Sequence, residues 1–384
     1  MKPGNVDTAI ILTGDRFMPP SAVAAQAKML QDSGVVDYLE MGDQLVSFFP
    51  SKLWTPANAP LAKLIPDIDS CSDVFVIAAY CLAHAPKLKL TISTDSIRRG
   101  PAEFVQTMLT LANITGGNAM FQIGGGEVKQ AKPYGWKRAE GLGRMEDLFK
   151  IFHALFEANE PIDFQGNYTT LTRASLGSAK QHRPVIWGLG GGPKLMDLVT
   201  TFCDGLSASA PSVWSTPDEA HEAISGIKAI LKTKQRDPEK FGFGVYIPVL
   251  IHEDANAIDR ALDNPLIRWF AATTGRVEPA DFRKEGMEPA VPDGWTYFQK
   301  MLPHDTSAEF IAEVLGKTTR KMAERSFLYG TAAQVAEQIR PYIDAGVNWV
   351  MPFDCTSLTL QPDDAMMGLQ RNINVCALLK GKGS

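Results

Sequence analysis

Four short stretches of this 384-residue chain carry side chains whose types and order could do chemistry. Gly42-Asp43-Gln44 sets a carboxylate beside an amide. The carboxylate accepts hydrogen bonds from a ligand and the amide both donates and accepts, although the same residues also make a plain capped turn. Ser93-Thr94-Asp95-Ser96 runs into Arg98-Arg99-Gly100-Pro101. Its small hydroxyl residues let a flat ligand approach the backbone, and the arginine pair could meet an anion, though such a pair more often forms a solvated face. Gly124-Gly125-Gly126-Glu127 removes side chains where a ring could lie, then supplies a carboxyl able to serve as general acid or base. Gly188-Leu189-Gly190-Gly191-Gly192-Pro193 combines free backbone N–H groups with a helix start, which makes a cradle for phosphate. Its spacing is wrong for a dinucleotide fingerprint.

Other chemistries find little support. The six histidines show no metal-ligand spacing, so no metal site is expected. Five widely spaced cysteines form no CxxC pair, and no GxSxG elbow is present, which disfavours disulfide frameworks and covalent hydrolysis. A net charge of −5 argues against a nucleic-acid partner. The apolar runs are too short for a membrane span. Met1 to Asp7 lacks the apolar stretch of a secretory signal, and the unpaired cysteine pattern makes a reducing cytoplasm the expected location.

The elements that must position these stretches alternate. Strands are read at Val6–Leu12, Asp37–Met41, Leu88–Thr94, Ala119–Gly124, Pro184–Leu189, Gly205–Ser209, Phe243–Ile251 and Trp349–Phe353. Helical periods lie between them, at Pro20–Ser33, Pro101–Ile114, Leu142–Glu157, Pro193–Cys203, Pro217–Lys232 and Ala332–Ala345. Strand then helix, repeated eight times, predicts a (β/α)₈ TIM barrel over residues 1–384 as a single domain, rather than an open doubly wound sheet. Each chemical stretch would then stand at a strand's C-terminal end, where barrel active sites form. Two connections are too long for turns, near 46–72 and 263–325. Their aromatic residues, among them Phe48 and Trp54, suit an apolar substrate pocket under a lid, or simple packing.

In order and spacing, the four stretches resemble the luciferase-like flavin and deazaflavin oxidoreductase superfamily, most strongly its deazaflavin-dependent branch. That branch ends its second strand in Gly/Ser-Asp-His, here Gly42-Asp43-Gln44. Its fourth strand ends in G-x-G-E, here Gly124–Glu127, and its phosphate loop reads A-x-G-G-P, here Gly190–Pro193. The phthiodiolone ketoreductase-like group shares Leu64-Ile65-Pro66-Asp67-Ile68-Asp69, the Arg98-Arg99-x-Pro101 turn and Pro133-Tyr134-Gly135.

The resemblance implies a barrel that is usually dimeric and binds coenzyme F420 with the deazaflavin ring in its mouth. Asp43 and Gln44 would contact the ring. Ser93 and Thr94 would form a strand-end bulge behind it, often with a non-proline cis peptide. Gly126, Glu127 and Gln130 would border ring and tail, and Gly190, Gly191 and Gly192 would hold the tail phosphate. Gln44 replaces the usual histidine, and an amide cannot act as a proton donor, so Glu127 becomes the expected acid or base. Only Arg325 stands where relatives bind a sugar phosphate, which disfavours that substrate class. The expected function is hydride transfer between coenzyme F420 and a small apolar carbonyl or alcohol. The alternatives are an FMN-dependent monooxygenase and a non-catalytic flavin-binding relative.

Overall fold

Eight parallel strands form the centre of the computed structural model, which describes residues 6–13 and 18–382. They are β1 (Asp7–Ile11), β2 (Tyr38–Gly42), β3 (Lys89–Asp95), β4 (Ala119–Gly124), β5 (Val185–Leu189), β6 (Gly205–Ser209), β7 (Gly242–Ile251) and β8 (Trp349–Asp354). Each pairs with the next. The ring closes where β8 returns to β1, with Asp7 opposite Trp349 and Thr8 opposite Val350. Closure leaves no exposed barrel edge. This is the predicted TIM barrel, and every predicted strand lies within one residue of the observed one at each end. The residues 1–5 on which the leader reading partly rests lie outside the described residues.

Local sequence explains the covering helices. Pro20–Ser33 begins on a proline, whose missing N–H costs nothing there, and stops at Gly34 with φ of 63°. Its Val23, Ala24, Ala27 and Leu30 recur at helical spacing and are buried. They join the outward-facing strand residues Leu39, Leu90, Ile92, Phe121 and Ile123 in the main apolar core.

The barrel interior has its own filling. Tyr38, Trp187 and Trp349 close the N-terminal end as an aromatic floor, with ring centroids 6.5 Å apart for Tyr38 and Trp349 and 6.3 Å for the tryptophan pair. Ala9, Met120 and Met351 pack with them.

The two long connections fold onto each other at the opposite end. The first makes 3₁₀ turns at Ser51–Leu53 and Pro60–Lys63, consistent with prolines that interrupt longer helices. The second supplies helices Pro265–Thr274 and Ala308–Lys317. Phe49, Leu53, Trp54 and Ile68 from the first share one apolar cluster with Leu266, Trp269, Phe282 and Met322 from the second. Asn264 Nδ2 donates to the Asn58 carbonyl at 2.7 Å, and Lys52 Nζ to that of Thr306 at 3.0 Å. The insertions therefore form one lobe. Among the described residues no helix is long and apolar enough to cross a membrane.

Candidate active site

The mouth is built from the C-terminal ends of β2, β3 and β4. Asp43, one residue past β2, accepts from Thr94 Oγ1 at 2.7 Å. Arg98 Nη2 reaches the Asp43 carboxylate at 3.0 Å and its carbonyl at 2.6 Å. The Arg98 Nε donates to Asp95 Oδ2 at 2.6 Å. Asp95 Oδ1 meanwhile accepts from the backbone N–H groups of Ile97 and Arg98, which folds the chain back after β3. Burial disfavours the Arg98 charge, but Asp95 and Asp43 more than offset this, and the guanidinium pKa is raised. Arg98 is thus a buried clamp between two carboxylates, not the solvated or anion-binding group its sequence suggested. Arg99 lies 4.2 Å over the Phe75 ring and 3.3 Å from Asp73.

Glu127 follows β4 and precedes the short helix Val128–Ala131. It does not stand alone. Lys129 Nζ lies 2.9 Å from Glu127 Oε2, and this lysine is completely buried. The same ammonium donates to the Val46 carbonyl at 3.1 Å and sits 3.9 Å over the Phe48 ring. Tyr297, from the lobe, packs 5.9 Å from Phe48. Burial, and then the Glu127 charge, push the Tyr297 phenol above its ordinary range, so it keeps its proton. Burial pulls the Arg138 guanidinium down, with Glu127 partly offsetting it. Arg138 Nε donates to the Gly126 carbonyl at 3.1 Å. A carboxylate, an ammonium and a protonated phenol therefore border one apolar face at Phe48. That arrangement can polarise a carbonyl or alcohol oxygen and pass it a proton.

Next to the β4 end, the loop after β5 is open. Gly190 and Gly192 have φ of 121° and 102°, a conformation L side chains rarely adopt. Gly192 leads directly into the helix Pro193–Phe202, ten residues long. Gly191 and Gly192 are exposed, with N–H groups and a helix start available to an anion.

Several expectations need revision. Ser93 and Thr94 form no bulge: β3 pairs with β4 without a register shift through Asp95 opposite Gly124. The single cis peptide among the described residues is Ala210–Pro211. The Thr94 side chain instead ties β3 to Asp43 after β2. Gly126 has φ of 80°, a conformation that favours glycine, and a Cβ there would also press on Ile97 Cδ1 at 2.5 Å. Gln130 is buried, with Oε1 accepting from Leu45 N at 2.7 Å and Nε2 donating to Val46 O at 2.9 Å. It holds the loop that carries Phe48. Trp54 is built into the lobe core, its Nε1 donating to the Ile65 carbonyl at 2.7 Å, so of the two pocket candidates only Phe48 stands beside Glu127 and Lys129. Gln44 is half-buried at the rim of the mouth.

Lys129 and Tyr297 went unnoticed in the sequence. The lysine's proximity to Glu127 was a usable signal. The tyrosine lies far along the chain, and only folding of the second insertion brings it here.

Residues 54–348 match the luciferase-like monooxygenase family. The chain belongs to that family. Within it, this luciferase-like chain is 25% identical over 317 residues to a phthiodiolone/phenolphthiodiolone dimycocerosates ketoreductase of Mycobacterium kansasii, covering 81% of this chain and 85% of that one. Its fold is similar to an F420-dependent secondary alcohol dehydrogenase in complex with an F420-acetone adduct, with TM-score 0.70, 17% identity, and 97% and 98% of the two chains covered. A riboflavin lyase with modified FMN and riboflavin is also similar, with TM-score 0.67, 13% identity, and 99% and 93% covered.

Proposed function

We propose that this luciferase-like chain uses coenzyme F420 to transfer a hydride between the deazaflavin and a small apolar carbonyl or alcohol. The observation that carries this reading is the paired mouth: Glu127, Lys129 and Tyr297 gathered around Phe48, facing strand ends with small residues. The ketoreductase name of the Mycobacterium kansasii relative supports the substrate class.

The residues present fit such a coenzyme. Gly42, Ser93 and Gly124 end or nearly end three adjacent strands in register, Gly42 opposite Ser93 and Thr94 opposite Ile123, and they leave room for a flat ring. Asp43 is fixed at its edge by Thr94 and Arg98. Gly190–Gly192 and the helix start behind them would receive a phosphate. When bound, the deazaflavin would supply the hydride. The chain's own share is to orient and to move a proton. Phe48 and the lobe shield the mouth from water. Tyr297 donates a hydrogen bond to the substrate oxygen, and Glu127, held by Lys129, exchanges the proton that balances the hydride.

A titration of the purified chain with coenzyme F420 and, separately, with FMN tests this. Preferential binding of the deazaflavin, followed by oxidation of its chemically reduced form when a ketone is added without oxygen, is the expected result. Preferential FMN binding with oxygen consumption would establish the monooxygenase alternative. Binding without turnover over a panel of carbonyls would leave a non-catalytic relative.

A further inference from the structure

Between the aromatic floor and the mouth, the inner barrel wall is polar. Glu40 on β2, Thr91 on β3, Gln122 on β4 and Ser207 on β6 are all fully buried. The strand registers place them side by side: Glu40 opposite Thr91, and Ser93 opposite Gln122. Ser207 and Trp349 both abut Gly244, where an added Cβ would lie 2.6 Å from Ser207 Oγ and 2.9 Å from the Trp349 ring. Tyr246 on β7 donates its hydroxyl to Glu40 Oε1 at 3.2 Å.

Ser93 also bonds the Glu40 carboxyl, but much of the wall lacks partners. Among the described residues, Glu40 Oε2, Thr91 Oγ1, both polar atoms of the Gln122 amide, Ser207 Oγ and Trp349 Nε1 have no hydrogen-bond partner. Buried polar atoms are almost always satisfied, and ordered water satisfies those that protein does not, each water making about three hydrogen bonds. Burial raises the Glu40 carboxyl to about 8, with Ser93 and Tyr246 pulling it part of the way back. The Tyr246 phenol is pushed up as well, by burial first and by Glu40 second. Tyr246 is the titratable group facing Glu40. The register sets Ile11 of β1 beside it, and β3 contributes Thr91 and Ser93.

We propose that this chamber binds a cluster of ordered waters with a protonated Glu40 as its donor, and that it responds to the charge of the ring lying above it. The second half rests on the proposed function; the first does not. A neutral carboxyl both donates and accepts, which suits waters bridging to Gln122, Thr91 and Ser207. An anion on the platform strengthens the hold of Glu40 on its proton. By reciprocity, loss of that proton weakens binding of an anionic ring.

The test starts without coenzyme. Infrared difference spectra between the wild type and Glu40→Gln are taken at about pH 6 and about pH 10, on either side of the titration. The wild type should show the carbonyl band of a buried protonated carboxyl at the lower pH, shifted in D2O and lost at the higher pH. A carboxylate band at the lower pH overturns the proposal. If Glu40→Gln fails to fold, Tyr246→Phe keeps the carboxyl but removes a donor to its charged form. Its titration midpoint should move up, and an unmoved midpoint counts against the pair. A crystal structure at near-atomic resolution should show water on Glu40 Oε2 and Gln122; side chains satisfied by one another with no water would overturn the chamber. With coenzyme, the wild type's affinity for the reduced, anionic deazaflavin should fall by up to about tenfold per pH unit above the midpoint, and Glu40→Gln should show no such fall. Equal pH dependence in both chains overturns the coupling. Failure of the wild type to bind either redox form counts against the proposed function instead, and the infrared result then decides the chamber alone.

Discussion

The two sides of the barrel mouth are built on opposite plans. On the β2–β4 side the charged groups hold one another: Asp43 has Thr94 and Arg98, Asp95 has Arg98, and Glu127 has Lys129. Beside it, after β5, Gly190–Gly192 offers backbone alone, and nothing lies within 4 Å of where a Gly192 side chain would begin. The first side is ordered before any ligand arrives, at the cost of burying charge. In the second, the Gly190 N–H already donates to the Ser207 carbonyl at 3.0 Å, and the exposed Gly191 and Gly192 are left to meet an anion. Substitutions on the first side should therefore disturb chemistry or folding, and those on the second should disturb binding alone.

The sharpest break would come from Glu127→Gln. Turnover of a ketone should drop by about 10²–10⁴-fold while coenzyme affinity is kept, since removal of a general acid or base has effects of that size. Steady-state rates beside a coenzyme titration check it, and a near-normal rate would move the proton transfer to Tyr297 or Lys129. Arg98→Met comes next. It strands Asp95 as a buried carboxylate without its cation and leaves Asp43 only the longer contact to Arg99 at 3.6 Å, and should lower the unfolding free energy by about 3–5 kcal/mol in urea melts. A smaller loss would mean the two carboxylates find water or take up protons. On the open side, Gly191→Val should weaken coenzyme binding by ~1.4 kcal/mol, about tenfold. Its unfolding midpoint should stay much nearer the wild type than that of Arg98→Met. If the two variants lose stability alike, the contrast between the sides fails. The smallest effect is expected away from the mouth. Trp54→Phe removes the hydrogen bond to the Ile65 carbonyl and should lower stability by about 1 kcal/mol without changing the coenzyme's affinity. A selective loss of ketone turnover in that variant would return Trp54 to the substrate pocket.

The fold was easier to read than the site. Alternating short apolar runs and helical periods are local properties, and helices such as Pro20–Ser33 carry both a proline start and a glycine stop. The hairpin of Ile162–Gln165 and Thr170–Ala174, and the strand Leu328–Gly330, were missed. Both are short and mostly exposed or half-buried, so neither leaves a strong apolar alternation. Within the site, glycine runs and strand-end acids were visible because they sit in contiguous motifs. Arg98 was misjudged because a charged pair in sequence carries no sign of whether it faces water or two carboxylates.

Sequence by itself determined the barrel, the strands that lead to Asp43, Glu127 and Gly190, and the place of both insertions. These depend on periodicity and turn chemistry, which act over a few residues. Only the tertiary structure decided that Lys129 buries its ammonium against Glu127, that Tyr297 crosses from the second insertion to the mouth, and that Glu40 faces Tyr246 inside the barrel, 206 residues apart in the chain. Those pairings exist because closing the sheet and folding the lobe remove water from distant polar groups at once. Once water is gone, each must take whichever partner the fold has brought within reach.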